Sequence, residues 1–533
     1  MEGKEKTRHM SEDENLGLAL LEKGQQGLAH VVFSRVGIIV LLLLFQLFLV
    51  FAGFYWLNAY LPHFVIITTV FTAFLGLYLL NTDMDPSAKI TWLLVILLLP
   101  AVGAPLYCYT RSNPGMRMLK KRLQTLVETT ENSIPQNQDV LDRLREEKPG
   151  AAALAHYLHR TGCYPVYDHT EVKYYPLGED KWTDLLRALE QAEHFIFLEY
   201  FIIDEGLMWG KVLEILARKA SQGVDVRVMY DGTCEFSTLP HDYPKRLQAL
   251  GIKCKMFAPM TPFVSTHYNY RDHRKIAVID GHTAFTGGVN LADEYINRRP
   301  RFGHWKDTAI RLRGEAVPSF TLMFLQMWGV DEKELEIEHF LAFPTKAPAE
   351  ARGYVLPYGD CPLDNDKVGE RVYMDILNRA EHYVYIMSPY LILDGEMETA
   401  LKFAAERGVD VRLVLPGIPD KKMPWALAKT HYSTLLASGV KIYEYSPGFV
   451  HAKVFVADDK EAVVGTINLD YRSLYHHFEC AAFLYDTPCI ADIRTDVETT
   501  MARSALVEKN FMEHEKLGVK LMGFLMKAIA PLL

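Results

Sequence analysis

His273-Arg274-Lys275-Ile276-Ala277-Val278-Ile279-Asp280 and His451-Ala452-Lys453-Val454-Phe455-Val456-Ala457-Asp458 share one frame: a histidine, a lysine two places on, four apolar residues and an aspartate. At average composition a chain of this length should show on the order of 0.05 such frames by accident. The match continues in register beyond the aspartates. Gly287 and Gly465 each lie 14 residues after their histidine, and Asn290 and Asn468 each lie 17 after it.

Working outward, the chain repeats itself upstream of both frames. Ala192-Glu193-His194 leads into Phe195–Tyr200, and Ala380-Glu381-His382 leads into Tyr383–Met387. Each is followed by a helical pattern that ends on the same phrase, Gly223-Val224-Asp225-Val226-Arg227 and Gly408-Val409-Asp410-Val411-Arg412. Glycine stands where a helix C-cap is wanted, and an apolar strand pattern begins at once. Strand-like runs alternate with amphipathic helix patterns, which predicts an α/β fold. Because the alternation occurs twice, the prediction is a duplicated domain of two β-sheet halves flanked by helices and related by a pseudo-twofold axis. The halves are placed at 151–345 and 346–505, joined through Pro344 to Pro362 and preceded by a helical linker at 111–150.

These residue types suit a phosphodiester. Within a strand, His and Lys at i and i+2 share a face, so each frame offers an imidazole beside a cation. Bringing the halves together sets His273, Lys275, His451 and Lys453 around one phosphate. The lysines and the amides of Asn290 and Asn468 can stabilise charge on the phosphoryl oxygens. One imidazole can attack phosphorus while the other protonates the departing alkoxide, help worth about 10²–10⁴-fold. Asp280 and Asp458 complete the catalytic frames in sequence, although their position suits support of a loop better than contact with substrate. No metal or other cofactor is expected, since no carboxylate cluster accompanies the frames.

The first part of the chain reads as a membrane anchor. From Val36 to Leu80 it has no Asp, Glu, Lys or Arg, and a third apolar stretch runs from Ile90 to Tyr109. About 20 apolar residues cross a bilayer, so two to three transmembrane helices are expected after a polar tail at 1–35, near 36–57 and 61–80 and, as a third span or a re-entrant segment, near 89–109. Arg111, Arg117, Lys120, Lys121 and Arg122 crowd the exit. By the positive-inside rule the catalytic part then faces the cytoplasm of a multi-pass cell-membrane protein. The tail at 506–533 is expected to be an amphipathic helix that either packs on the domain or lies in the membrane interface, the second being favoured.

Composition narrows the alternatives. The 533 residues carry a net charge of −9, whereas a nucleic-acid binder usually shows a basic excess. The seven cysteines are widely spaced with no CxxC pair, which suggests neither a disulfide framework nor a zinc site.

The paired frames resemble the phospholipase D superfamily over roughly residues 150–505. The wording around them is similar to bacterial cardiolipin synthases: Asn269-Tyr270-Arg271-Asp272 before the first frame, Gly287-Gly288-Val289-Asn290, Trp305-Lys306-Asp307-Thr308, Gly448-Phe449-Val450 before the second, and Asn468-Leu469-Asp470-Tyr471-Arg472-Ser473. Two departures are Gly465-Thr466, where Gly-Ser is commoner, and His477-Phe478-Glu479, where Asn-Phe-Glu is commoner. The resemblance implies phosphatidyl transfer between two phosphatidylglycerol molecules through a phosphatidyl-histidine, with His273 as nucleophile and His451 as acid, then base. It leaves the reverse assignment open. Asp307 and Glu479 fall at similar positions after the two frames and are candidates for orienting the imidazoles.

Other features receive plainer readings. His476-His477 looks like a metal pair, but neighbours in a strand point opposite ways, so a structural or surface role is favoured. Tyr268, Tyr270 and Phe285 read as core. Arg298, Arg299 and Arg301 could meet anionic headgroups or simply form a solvated loop. The competing functions are a hydrolase of the same superfamily and a non-catalytic membrane scaffold. The first is disfavoured by the anchor and the second by both frames being intact. One chain holds both frames, so no dimer is required for chemistry.

Overall fold

The computed structural model describes residues 62–98, 100–111, 114–259, 270–345, 351–364 and 366–532, with residue 348 and several helical residues between 44 and 56. Two mixed sheets dominate it. The first half contributes β1 (Thr170–Tyr175), β2 (Phe195–Tyr200), β3 (Asp225–Asp231), β4 (Lys253–Phe257), β5 (Arg271–Asp272), β6 (Lys275–Ile279), β7 (Thr283–Gly287), β8 (His304–Lys306) and β9 (Ala309–Gly314). The second contributes β10 (Tyr354–Asp360), β11 (Tyr383–Met387), β12 (Asp410–Pro416), β13 (Lys441–Tyr445), β14 (Gly448–Val450), β15 (Val454–Ala457), β16 (Glu461–Gly465), β17 (His477–Tyr485) and β18 (Ser504–Leu506).

The first sheet runs β1-β9-β7-β6-β2-β3-β4, and the second runs β10-β17-β16-β15-β11-β12-β13 with β18 added at its edge. Position by position these are one order repeated. In each, the strand after the Ala-Glu-His phrase pairs in parallel with the strand after the repeated glycine. In each it also pairs antiparallel with the strand of the His/Lys frame. Gly223 and Gly408 adopt positive φ of 93° and 98°, the left-handed helix exit that glycine takes without steric strain.

Both central strands of each sheet are buried along their length, as strands covered on two faces must be. Helix α4 (Val317–Trp328) is buried along its whole length and joins the inner faces of both sheets in one apolar core. A second core covers the outer face of the first sheet. The halves are therefore packed against each other over a continuous apolar surface, which fixes the geometry of anything built between them.

The apolar N-terminal region forms α1 (Pro62–Leu80), α2 (Pro86–Leu98) and α3 (Pro100–Arg111). Of the expected segments, 61–80 coincides with the helix α1. Of the segment 36–57, nine residues between 44 and 56 are described, each in a helix, and the rest lies outside the described residues. The stretch 89–109 is not one helix but two, with Pro100 opening α3, where its missing N–H is tolerated. The pair folds closely: a Cβ at Gly103 would lie 2.6 Å from Val95 O, and Trp92 meets Tyr107 edge-on at 5.2 Å. Among the described residues, no helix is long and apolar enough to cross a membrane.

The C-terminal segment forms α6 (Leu517–Ile529), which packs against α5 (Lys422–Ala437) with Gly523 over Ala426. Met526 and Ala530 are buried with Leu427 and Tyr471, and Thr91 on α2 donates to Ala528 O at 2.9 Å. Leu517, Leu521, Phe524 and Leu525 remain exposed. The tail therefore both docks on the second half and presents an apolar face.

Candidate active site

Three short strands build the site by crossing between the halves. β5 pairs in parallel with the start of β17, matching Arg271 with His477 and Asp272 with Phe478. β8 pairs in parallel with β14, matching Trp305 with Phe449 and Lys306 with Val450. The ladders continue one bond further, with His273 N donating to Phe478 O at 2.9 Å and His451 N donating to Lys306 O at 2.7 Å. Each histidine is thus brought beside the other half's carboxylate. His273 Nδ1 lies 2.9 Å from both Glu479 oxygens, and His451 Nδ1 lies 2.6 Å from Asp307 Oδ2.

Each histidine stands at a junction rather than inside a strand. His273 falls between β5 and β6, and His451 between β14 and β15. This differs from the simple same-face strand expectation. The frame works because one neighbouring strand belongs to its own sheet and the other reaches across. Where the facing group is an ionised carboxylate, Nδ1 donates to it and Nε2 keeps its lone pair for substrate.

Glu479 is itself held by the Thr466 hydroxyl. Asp307 Oδ1 accepts from Thr308 N at 2.8 Å, and a Cβ at Gly288 would collide with that carboxylate. The lysines lie inside the same enclosure. Lys275 Nζ donates to His273 O at 2.7 Å, while Lys453 Nζ donates to His451 O and lies 2.9 Å from His451 Nδ1.

The electrostatics follow from burial around a centre that expects an anion. Desolvation lowers His273 well below the usual imidazole value, with Lys275, His477, Lys453 and His451 adding to the shift. His451 is lowered to about 4 by burial and then Lys453, with Asp307 opposing. Burial lowers Lys275 to about 8 and Lys453 to about 7. Burial also raises Glu479 well above the usual carboxylate range, with Lys275 opposing. Two poorly solvated lysines beside two imidazoles form a site that a phosphate would stabilise.

The remaining expected residues divide. Asn290 is buried with Oδ1 accepting from Ile202 N at 3.0 Å and Nδ2 donating to Tyr295 OH at 2.7 Å. Asn468 Oδ1 is buried and lacks a hydrogen-bond partner among the described residues. Asp280 and Asp458 need correction as members of a catalytic set. Both adopt positive φ, 50° and 52°, at the far end of β6 and β15 from the histidines. Asp280 accepts from the N–H groups of Glu193, His194 and Phe195 at 2.7–2.8 Å, and Asp458 from those of Glu381, His382 and Tyr383 at 2.7–2.9 Å. These carboxylates fasten the entry to each central strand.

Several residues at the site were not singled out as site residues from sequence. Tyr295, Trp305 and Phe449 surround His451 with ring centroids at 5.4, 5.5 and 5.9 Å. Phe201 and His477 flank His273 at 4.9 and 5.3 Å. His476 and His477 are not neighbours within a strand, since His476 ends the helix Tyr471–Tyr475 and packs toward Tyr270, while β17 begins at His477. A surface role for His477 is corrected, because its face is the interior one. The repeat's own register could have found two of these, since Trp305 and His477 each precede the paired carboxylate by two residues.

Of the arginine patch, Arg299 pairs with Asp204 at 3.2 Å and Arg301 with Glu294 at 3.5 Å. Phe285 is core, Tyr270 packs at the core's margin, and Tyr268 lies outside the described residues. His273, His477 and Glu479 bring three potential ligand atoms within 4.8 Å. Glu479 is committed to His273 and Thr466 and is influenced by the Lys275 cation, so we do not read the three as metal ligands.

A duplicated α/β fold with two His/Lys frames meeting at one centre defines a phosphoryl-transfer protein of the phospholipase D type. The family model described as "Cardiolipin synthase, PLD-like domain" matches residues 185–300 and 373–501, and one described as "Phospholipase_D-nuclease N-terminal" matches 65–108. Cardiolipin synthases of Halalkalibacterium halodurans and Alkalihalophilus pseudofirmus are each 32% identical. They align over 87% and 91% of this chain and 92% and 98% of their own length. An uncharacterized protein of Streptococcus mutans is 57% identical over 86% of this chain and 99% of its own. The crystal structure of a phosphatidylserine synthase from Haemophilus influenzae shares the fold, with a TM-score of 0.53 and 15% identity over 68% of this chain and 93% of that one. The chain belongs to the bacterial cardiolipin synthase family, phosphatidyltransferases of the phospholipase D superfamily.

Proposed function

We propose that the protein joins two phosphatidylglycerol molecules into cardiolipin and glycerol. The observation that carries this reading is the crossed arrangement, each imidazole oriented by the other half's carboxylate and both set beside a buried lysine. In the first step His273 Nε2 attacks phosphorus and the P–O bond to the headgroup glycerol breaks. His451, protonated in the substrate complex, gives its proton to that oxygen. In the second step neutral His451 takes the proton from the headgroup hydroxyl of a second phosphatidylglycerol. That oxygen then displaces His273 from phosphorus. Lys275 and Lys453 hold the phosphoryl oxygens throughout, an electrostatic role that needs no reorganisation during reaction. Asn290 and Asn468 support the oxygens' surroundings. Asp307 and Glu479 keep each Nδ1 protonated and each ring aimed.

Transfer over hydrolysis requires the lipid alcohol to outcompete water by positioning and solvent exclusion. An association with the bacterial cell membrane supplies that acceptor at high local concentration. Three features support the association: the uncharged run from Val36 to Leu80, the exposed Ile66, Ile67, Val70, Phe71 and Phe74 of α1, and the apolar face of α6. In this reading the N-terminal segments are a multi-pass anchor and the two halves, 151–345 and 346–505, face the cytoplasm. Purified full-length protein given phosphatidylglycerol alone should form cardiolipin and free glycerol by mass spectrometry. Phosphatidic acid without cardiolipin would make it a hydrolase instead.

A further inference from the structure

The register of the two sheets defines which residues are equivalent between the halves. Gly287 on β7 pairs with Ala309 on β9, and Gly465 on β16 pairs with Ala481 on β17. Counting back, Asp307 is equivalent to Glu479 and Trp305 to His477. Each of these flanking residues packs on the histidine that its carboxylate orients. Trp305 lies 5.5 Å from His451 with an interplanar angle of 43°, and His477 lies 5.3 Å from His273 at 39°.

Both flanking side chains are more than nine-tenths buried, 7% exposed each. Both also carry ring nitrogens without a hydrogen-bond partner among the described residues: Nε1 of Trp305, and Nδ1 and Nε2 of His477. Glu479 Oε1 is 3.6 Å from His477 Nδ1, beyond hydrogen-bond length. Buried polar nitrogens left unpaired cost stability, so their recurrence at equivalent places on both sides of one centre calls for a ligand. The neutral form of His477 is favoured by burial and by Arg472, so one of its nitrogens donates and the other accepts.

We infer that His477 is a substrate-contacting residue whose ring N–H donates to an oxygen of the phosphatidyl group held at His273, with Trp305 Nε1 its counterpart on the His451 side. The two differ in chemistry. Tryptophan only donates and is walled by Tyr295 and Phe449, whereas His477 can also accept and so can engage a hydroxyl. The inference deepens the proposed phosphatidyl transfer and rests on it for the identity of the ligand.

The test uses the full-length, detergent-solubilised protein and dimethyl phosphate, a phosphodiester without acyl chains, as the binding probe. His477→Leu is close in volume to the imidazole and removes both nitrogens, while His477→Asn keeps a donor. The expected results are a melting temperature of His477→Leu equal to or above wild type without ligand, and dimethyl phosphate affinity weakened about 10-fold or more. The loss should be largely recovered in His477→Asn. In transfer assays KM for phosphatidylglycerol should rise with it. A His477→Leu protein that melts lower than wild type, or that binds dimethyl phosphate as wild type does, overturns the inference. If the wild type binds the diester and His477→Leu does not, the inference stands even where no cardiolipin forms; in that case the cardiolipin reading alone fails.

Discussion

The two halves share a strand order, a repeated helix exit and a repeated aspartate clamp, yet they differ at the residues around the two histidines. On one side His273 meets Glu479, which is steadied by Thr466 and flanked by His477. On the other, His451 meets the shorter Asp307, which sits against Gly288, among Tyr295, Trp305 and Phe449. A carboxylate one methylene longer needs a hydroxyl to hold it, and a shorter one needs a backbone bare enough to approach. The scaffold occurs twice, and differences at a few side chains give the two imidazoles different surroundings. Crossing the carboxylates between halves makes the site depend on correct packing of both.

The largest effects should come from the histidines. His273→Ala and His451→Ala are each expected to lower phosphatidyl transfer by about 10³-fold or more, measured as initial rates of cardiolipin formation. Comparable losses would support two essential roles, and a mild loss in either would break the comparison. Next, Glu479→Gln and Asp307→Asn keep the shape but can present an amide to Nδ1. Each should lower the rate about 10²–10⁴-fold through the wrong tautomer, with little change in melting temperature.

The carboxylate supports test the asymmetry directly. Gly288→Ala places a methyl against Asp307 and should misplace it, a displacement that can cost about 10²-fold in rate. Thr466→Val removes one hydrogen bond to Glu479 and should cost less, about 10-fold. The reverse order would mean that the Glu479 side is the more tightly constrained.

The pH dependence follows from the lysines. Their pKa values in the free enzyme are depressed to about 8 and about 7, so they lose charge as pH rises through that range. Since phosphate binding needs the cations, kcat/KM should fall on the alkaline side from about pH 7, while kcat, which reports the complex, should hold to higher pH. The smallest effect on chemistry is expected at Asp280→Asn and Asp458→Asn. Both should lower the melting temperature by loosening three backbone hydrogen bonds, with similar shifts in the two halves and modest loss of kcat.

Much of this was legible in the chain because it is written twice. The frames, the shared glycines and the Gly-Val-Asp-Val-Arg phrase announce the duplication, and Asp307 and Glu479 stand at similar but unequal distances, 34 and 28 residues, after their own half's histidine. The crossed pairing was not legible. It rests on β5, β8 and β14, strands of two or three residues, too short for any periodic signal. The role of Asp280 and Asp458 was partly visible, since an aspartate ending an apolar strand is well placed to clamp backbone N–H groups. His477 was hidden for a different reason. Beside His476 it reads as half of a surface pair, and only the strand's direction across the domain boundary sends its ring to His273. In the N-terminal region the apolar stretch from Ile90 to Tyr109 was visible, but the close return of α3 on α2 is a packing outcome that hydropathy does not encode.

The central claim is that two similar halves give one histidine the nucleophile's task and the other the proton's. It is tested most directly by mixing wild-type protein with phosphatidylglycerol, quenching within one turnover and mapping the modified histidine by peptide mass spectrometry. The account predicts a phosphatidyl group on the peptide bearing His273. Recovery of that group on the peptide bearing His451 would contradict it.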